Sequence, residues 1–291
     1  MSLPKVLFIG LGMMGRPMAT HIAKAGYPLI VSDMNEVTVA ELCNEVGASD
    51  LKSADTISDV GIVITMLPNS AIVRDVLVGK QRIAAQVKKG AVVIDMSSSE
   101  PLQTRELAAE LEVLSIGLLD APVSGGVKRA VSGTLAIMVG GTAELAAQND
   151  ALLTKMGKTT HVGPVGAGHA IKALNNYVSA AGLLAAVEAL HVGEKFGLDP
   201  AVMTDVLNSA SGSNNATLNK VHQFMLNGTY ASGFALQLMV KDLKIAVALA
   251  EQMGEDMKLG HECLEVWMDA AEESNPRTDH TEMYRIVGHH G

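Results

Sequence analysis

The sequence predicts an α/β domain followed by an all-α domain, with one long helix between them, and three observations carry that reading. Short β-type apolar runs alternate with helical patterns from Val6 to Val139. A glycine-rich turn, Gly10-Leu11-Gly12-Met13-Met14-Gly15, stands between the first strand and the first helix. Beyond residue 200 the apolar spacing is helical and no strand pattern is convincing. At 291 residues the chain is long for one hydrophobic core, which places a dinucleotide-binding domain at 1–164 and the helix with an all-α domain at 165–291.

The first strand is Val6 to Ile9, and a helical pattern runs from Pro17 to Ala25. Between them the glycines have separate uses. The first permits the tight turn, the second lets backbone approach a pyrophosphate, and the third lets helix pack on strand, while the helix N-terminus faces the phosphates. Gly10, Leu11, Gly12, Met13, Met14 and Gly15 are therefore expected cofactor contacts. A second strand, Pro28 to Ser32, ends in Asp33, eighteen residues after Gly15, where an acidic residue takes the adenosine ribose hydroxyls. Asp33 would repel a 2′-phosphate, and Met34 and Asn35 offer no arginine to hold one, which favours NAD over NADP. A chance acidic residue at a strand end is the competing reading.

Gly61 to Met66 reads as a strand ending in Leu67-Pro68-Asn69, with a helix from about Ala71. Ala91 to Met96 is another, ending in Ser97-Ser98-Ser99 before a helix near Pro101. Such alternation implies a parallel sheet, and ligands then sit outside the carboxyl ends of the strands. Leu67, Pro68 and Ser98 are candidate cofactor contacts by position, although the serines equally suit an N-cap. Next, Ile116 to Asp120 runs into Ala121-Pro122-Val123-Ser124-Gly125-Gly126, and after Lys128-Arg129 the chain returns as Thr134 to Val139. Adjacent glycines after a serine let successive N–H groups share one concavity, so Ser124, Gly125 and Gly126 form either an anion receptor or a flexible turn.

From Gly163 to Gly197 the spacing predicts a helix of about seven turns. Ile171, Leu174, Val178, Gly182, Ala185, Ala189, Val192 and Phe196 mark one face, and Leu183, Leu184, Val187 and Leu190 the other. A helix apolar on all sides is normally buried. Lys172, Asn175, Asn176 and Ser179 break the pattern along one edge. Either they form a solvated edge with a snorkelling lysine, or they line an active site, where a desolvated lysine acquires the lowered pKa that suits proton transfer. Asp199-Pro200 caps and starts the next helix, and further helices are expected at roughly 200–210, 214–227, 234–253 and 257–274. Lys241-Asp242 interrupts the apolar run from Phe234 to Val240, as an exposed ion pair or as a second functional intrusion.

Composition narrows the partners. Lysine and arginine number 22 against 31 acidic residues, a net charge of −9, and the last forty-one residues hold ten acidic and three basic side chains. That balance lacks the basic stripe that neutralises phosphates, so nucleic acid is not an expected partner. Cys43 and Cys263 have no neighbouring metal-type or redox-type residues and fit core packing. The nine histidines lack ligand spacing, and no metal site is expected. Within the long helix the run without charge, Ala173 to Val187, is too short and polar to span a bilayer. The chain opens with MSLPKVLFIG and no export-type leader, so a soluble, cytoplasmic protein is expected. The terminal GHHG with His289 and His290 is either native or added.

With these residues in view, the chain resembles the β-hydroxyacid dehydrogenases, the family of 3-hydroxyisobutyrate dehydrogenase and tartronate semialdehyde reductase. The resemblance rests on Gly10 to Gly15 with Met18-Ala19, on Asp120 to Gly126 with Gly133-Thr134-Leu135, on Gly166-Ala167-Gly168 followed by Lys172 and Asn175-Asn176, and on Lys241-Asp242-Leu243. It implies a Rossmann domain, an interdomain helix and an all-α domain that mediates dimers or tetramers. It also implies Lys172 as catalytic lysine with Asn176 supporting it, Ser124, Gly125 and Gly126 as the substrate-carboxylate site, and Lys241 with Asp242 as a cover over nicotinamide and substrate. The activity implied is reversible NAD-dependent oxidation of a small β-hydroxy acid to its semialdehyde.

Two departures bear on substrate. Relatives often carry glycine where this chain has Arg129 beside Lys128, and often tryptophan where Ser211-Gly212-Ser213 leads to Asn214-Asn215. Both favour a polar acid over one with a bare methyl. A decarboxylating enzyme like 6-phosphogluconate dehydrogenase would want His-Asn-Gly after the lysine, where Asn175-Asn176-Tyr177 stands. A non-catalytic dinucleotide-binding module would have no use for Lys172.

Overall fold

Alternating side chains in the strands set the architecture. In β1, Lys5–Ile9, Phe8 packs into one core while Leu7 and Ile9 enter another, as the two-residue period requires of a sheet covered on both faces. The computed structural model describes residues 3–54 and 56–287, so the GHHG tail lies outside the described residues. Among the described residues the sheet has nine strands in the order β3-β2-β1-β4-β5-β6-β8-β7, with β9 paired to β8. The others are β2 Leu29–Ser32, β3 Ser49–Asp50, β4 Val60–Thr65, β5 Val92–Asp95, β6 Gly117–Asp120, β7 Val123–Ser124, β8 Leu135–Gly140 and β9 Gly157–Gly163.

Strands β1 to β6 pair in parallel, as expected. The expectation of a uniformly parallel sheet fails beyond β6. There β8 runs antiparallel to β6 and β7, and β9 pairs parallel to β8. The short connection through the helix at Gly126–Ser132 explains the reversal, because a parallel return needs a longer crossover. Helices α1 Gly15–Lys24, α2 Glu36–Val46, α3 Ser70–Leu77, α4 Pro101–Val113, α5 Gly126–Ser132 and α6 Ala143–Leu153 complete this part. Contacts divide the chain into two compact units, one ending at Lys172 and one beginning at Ala173.

Helix α7, Ala167–Phe196, lies within the expected stretch and begins four residues before Ile171, where its apolar pattern starts. Its faces also differ from expectation. Leu183, Val187 and Leu190 are fully buried, whereas Val178, Val192 and Phe196 are exposed, Phe196 at 84%. A pattern apolar on all sides cannot say which side meets the chain's own core. By length and composition alone α7 could cross a membrane, with a stretch of mean hydropathy 1.2 of which 44% is buried within the protein, a test that the core helix of a soluble protein passes equally.

The second unit contains α8 Pro200–Ser209, α9 Asn215–Asn219, α10 Leu236–Met253, α11 Lys258–Glu272 and α12 Met283–Ile286 around fully buried Trp267. Asp199 caps α8 by accepting from Ala201 and Val202 N–H, with Pro200 at the first helical position. The helix expected over 214–227 is instead α9, held by a reciprocal cap between Asn214 and Thr217, followed by a π-helical turn at Val221–Met225.

Candidate active site

The glycine-rich loop has the shape its spacing requires. Gly10 has φ +100°, and a Cβ there would lie 2.2 Å from Met66 O; one at Gly15 would lie 1.9 Å from Gly10 O. Only glycine fits either position. A Cβ at Gly12 would meet nothing within 4 Å, so its backbone borders the open space that a pyrophosphate needs. Asp33, just past β2, accepts from Leu11 N–H through Oδ2 at 2.6 Å and from Asn35 N–H through Oδ1 at 2.8 Å. Its carboxylate thus braces the same loop. Arg16 in the first turn of α1 is engaged by Glu41 at 2.7 Å and Glu45 at 3.3 Å, which leaves its charge compensated rather than offered to a 2′-phosphate. These residues fit NAD.

Leu67, just past β4, donates its N–H to Ser97 Oγ at 2.9 Å, so one of the expected cofactor positions is braced by the serine run. The serines themselves do not cap α4, whose N-cap is Glu100 without a side-chain bond. Ser99 Oγ donates to Asp95 Oδ2 at 2.7 Å instead.

The loop after β7 has two left-handed glycines, Gly125 at φ +126° and Gly126 at φ +64°. A Cβ on Gly126 would project into open space, whereas one on Gly125 would lie 2.4 Å from Arg129 Cδ. The structure therefore lays the Arg129 stem directly over Gly125. Sequence spacing alone placed Arg129 near the loop but not on it.

A buried polar cluster at the ends of β5 and β6 escaped the sequence reading. Asp95 Oδ1 accepts from Thr65 Oγ1 at 2.8 Å and from Ser97 N–H at 3.1 Å. Asp120 Oδ1 accepts from Gly166 N–H at 2.8 Å, and Oδ2 from His169 N–H at 2.9 Å, so this strand-end carboxylate caps α7 across 46 and 49 residues of sequence. Its neighbours must be small: a Cβ on Gly140 would lie 2.4 Å from Asp120 Oδ1, and one on Gly168 2.5 Å from Met138 O. Burial pushes the Asp120 carboxyl up, while adjacent His169 and the two backbone donors oppose that shift. The sequence signal was the acid ending each of two strands, which only the topology could connect.

Lys172 lies one turn into α7 and is 8% exposed, a buried lysine rather than a solvated edge. Asn176, one turn further, donates from Nδ2 to Asp242 Oδ2 at 2.5 Å and accepts from Asn175 Nδ2 at 3.1 Å. Lys241 Nζ stands 4.0 Å from Asp242 Oδ1, with Asp242 buried. The exposed ion-pair reading of Lys241-Asp242 is thereby excluded for Asp242. The two polar intrusions, from α7 and α10, meet at this pair. Cys263 is buried, which pushes its thiol up to about 11 and suits packing.

An open glycine cradle at a strand end, a braced acidic residue after the next strand and a buried lysine define an NAD-linked oxidoreductase. Comparison with known proteins sharpens the class. Residues 5–165 match the NAD binding domain of 6-phosphogluconate dehydrogenase, and residues 166–287 match the family described as NAD-binding of NADP-dependent 3-hydroxyisobutyrate dehydrogenase. The chain is 37% identical over 250 residues to 2-(hydroxymethyl)glutarate dehydrogenase of Eubacterium barkeri, covering 85% of this chain and 83% of that one. It is 36% identical to the NAD-dependent L-serine dehydrogenase of Pseudomonas aeruginosa, over 90% and 91% of the two chains. A solved Mycobacterium tuberculosis 3-hydroxyisobutyrate dehydrogenase with L-serine superposes with a TM-score of 0.90 at 31% identity, covering 98% and 99%. The chain belongs to the β-hydroxyacid dehydrogenase family, and it is an NAD-binding oxidoreductase that acts on CH–OH groups.

Proposed function

We propose that the chain reversibly oxidises a small, polar β-hydroxy acid to its semialdehyde, with Lys172 as the proton-transfer group. The carrying observation is a lysine only 8% exposed on the first turns of a helix whose start is capped from the sheet. Ser124 Oγ and the N–H groups of Gly125 and Gly126 hold the substrate carboxylate, which fixes the hydroxyl carbon. Gly10–Gly15, Asp33 and Met34, flanked by Leu67, Pro68 and Ser98, would hold NAD, which would supply a hydride acceptor for that carbon. The Lys172 amine takes the hydroxyl proton, and in the reverse direction returns it. Groups in this role contribute about 10²–10⁴-fold. Asn176, tied to Asp242, orients the amine, and Lys241 with Asp242 serves the substrate and nicotinamide.

The relatives named for 2-(hydroxymethyl)glutarate and L-serine support an acid with polar or charged substituents. Rates of NAD reduction over 3-hydroxyisobutyrate, glycerate, serine, threonate and sulfonate analogues test this. A hydroxylated or charged acid should lead the panel; preference for 3-hydroxyisobutyrate would contradict the polar-substrate reading. The same proposal makes the protein a cytoplasmic homodimer or homotetramer built through its C-terminal helices.

A further inference from the structure

We propose that His169 is a positioning residue for Lys172: its ring fixes the first turn of α7 on the sheet and so sets where the amine stands. This rests on the assignment of Lys172 as proton-transfer group. His169 is 1% exposed, and both ring nitrogens are engaged. Nδ1 lies 2.8 Å from Thr104 Oγ1 and Nε2 lies 3.1 Å from Ser97 O. Asp95 Oδ2 stands 3.7 Å from Nε2, and Asp120 Oδ2 stands 3.8 Å from Nδ1. The ring is thus held by α4, by the chain following β5 and by β6, with a carboxylate beside each nitrogen.

The sequence around it explains why one ring matters. The chain enters α7 as Gly166-Ala167-Gly168-His169-Ala170, so no other side chain in this turn exceeds a methyl group. Gly168 cannot be enlarged without striking Met138 O and Asp120 O. Asp120 fixes the backbone start of the helix through two N–H bonds. His169 adds the one off-axis side-chain anchor that this turn supplies, tying it to α4 through Thr104 and to the chain after β5 through Ser97. It precedes Lys172 by three residues, a spacing that makes the two side chains neighbours on the helix surface. Displacement of a reacting group by 1 Å costs on the order of 10²-fold in rate. The ring would therefore govern kcat without touching substrate.

The experiment measures kcat and KM for the best acid, and NADH affinity by fluorescence, in His169→Leu, His169→Gln, Thr104→Val and Lys172→Ala. For His169→Leu, kcat should fall about 30-fold or more with NADH affinity within about twofold. Thr104→Val, which removes one partner of the ring and is the gentler change, should lower kcat about three- to tenfold with the same unchanged affinity. His169→Gln keeps an amide that can donate to Ser97 O and should retain kcat within about threefold of wild type. If His169→Leu does not fold, the other two variants decide. Wild-type kcat in Thr104→Val together with His169→Leu or with a deeply impaired His169→Gln overturns the inference, as does a loss of NADH affinity that matches the loss of rate. A Lys172→Ala protein that still turns over overturns the assignment beneath it; an inactive one beside fully active His169 and Thr104 variants overturns the positioning role alone.

Discussion

Asp33 has two duties that a mutation can separate. Its carboxylate accepts from Leu11 and Asn35 N–H and so braces the glycine loop, and in the proposed binding mode it presents negative charge toward a 2′-phosphate. Arg16 is paired to Glu41 and Glu45, so its charge is already engaged rather than set against that repulsion. The native enzyme should prefer NAD over NADP by about tenfold or more in kcat/KM. Asp33→Ala should narrow the ratio mainly by weakening NAD use, because the loop loses its brace as the repulsion disappears. Equal use of both cofactors by the wild type would contradict this. Arg129 is argued the same way. Its stem covers Gly125, so Arg129→Gly should uncover the loop and shift relative rates across the acid panel toward substrates without a second polar group. Unchanged relative rates would make Arg129 and Lys128 surface residues with no part in selection.

At the scale of elements, the second unit is closed by a polar clasp rather than by packing alone. His280 is buried between Lys220, Ser232 and the Phe234 carbonyl. Nδ1–H donates to Phe234 O at 3.0 Å, and Nε2 then accepts from the Lys220 ammonium at 2.7 Å. Burial first, and the Lys220 charge second, pull His280 down to about 4. The unfolded chain binds this proton near pH 6.5, so between those values it carries more protons than the fold and stability rises with pH. The contribution is complete above about pH 6.5 and is lost as pH falls toward 4. It is worth about 2 kcal/mol between pH 7 and 5. Urea midpoints at pH 7 and 5 should show this loss in the wild type and much less of it in His280→Gln. Equal losses would mean that other groups carry the acid sensitivity.

The same scale shows how much was legible. The parallel core was readable because β1, β4 and β5 are nearly continuous apolar runs, as strands buried on both faces must be. β9, Gly-Lys-Thr-Thr-His-Val-Gly, has no such run; its pairing with β8 supplies what its composition does not. Glycine spacing and the motif residues pointed to the Gly10–Gly15 loop and to Lys172 as candidates. His169, Asp95 and Asp120 were not legible as a cluster, because each has an ordinary local use and only the strand order brings them together.

For the whole molecule, assembly into an oligomer would cover an exposed apolar strip. Ala185, Val192, Phe196, Leu198 and Met203 line a shallow groove in the second unit. Sedimentation should find a dimer or larger, and Phe196→Glu should weaken it; a wild-type monomer at micromolar concentration would contradict the assembly. The central claim is tested most directly by Lys172→Ala, assayed for turnover and, separately, for NADH affinity. The account predicts that turnover is abolished while NADH affinity stays near wild type, with Asn176→Ala milder, showing raised KM and a partial loss of kcat. A folded Lys172→Ala protein that binds NADH and turns over within about tenfold of wild type would contradict it and move the search for the proton-transfer group to Lys241.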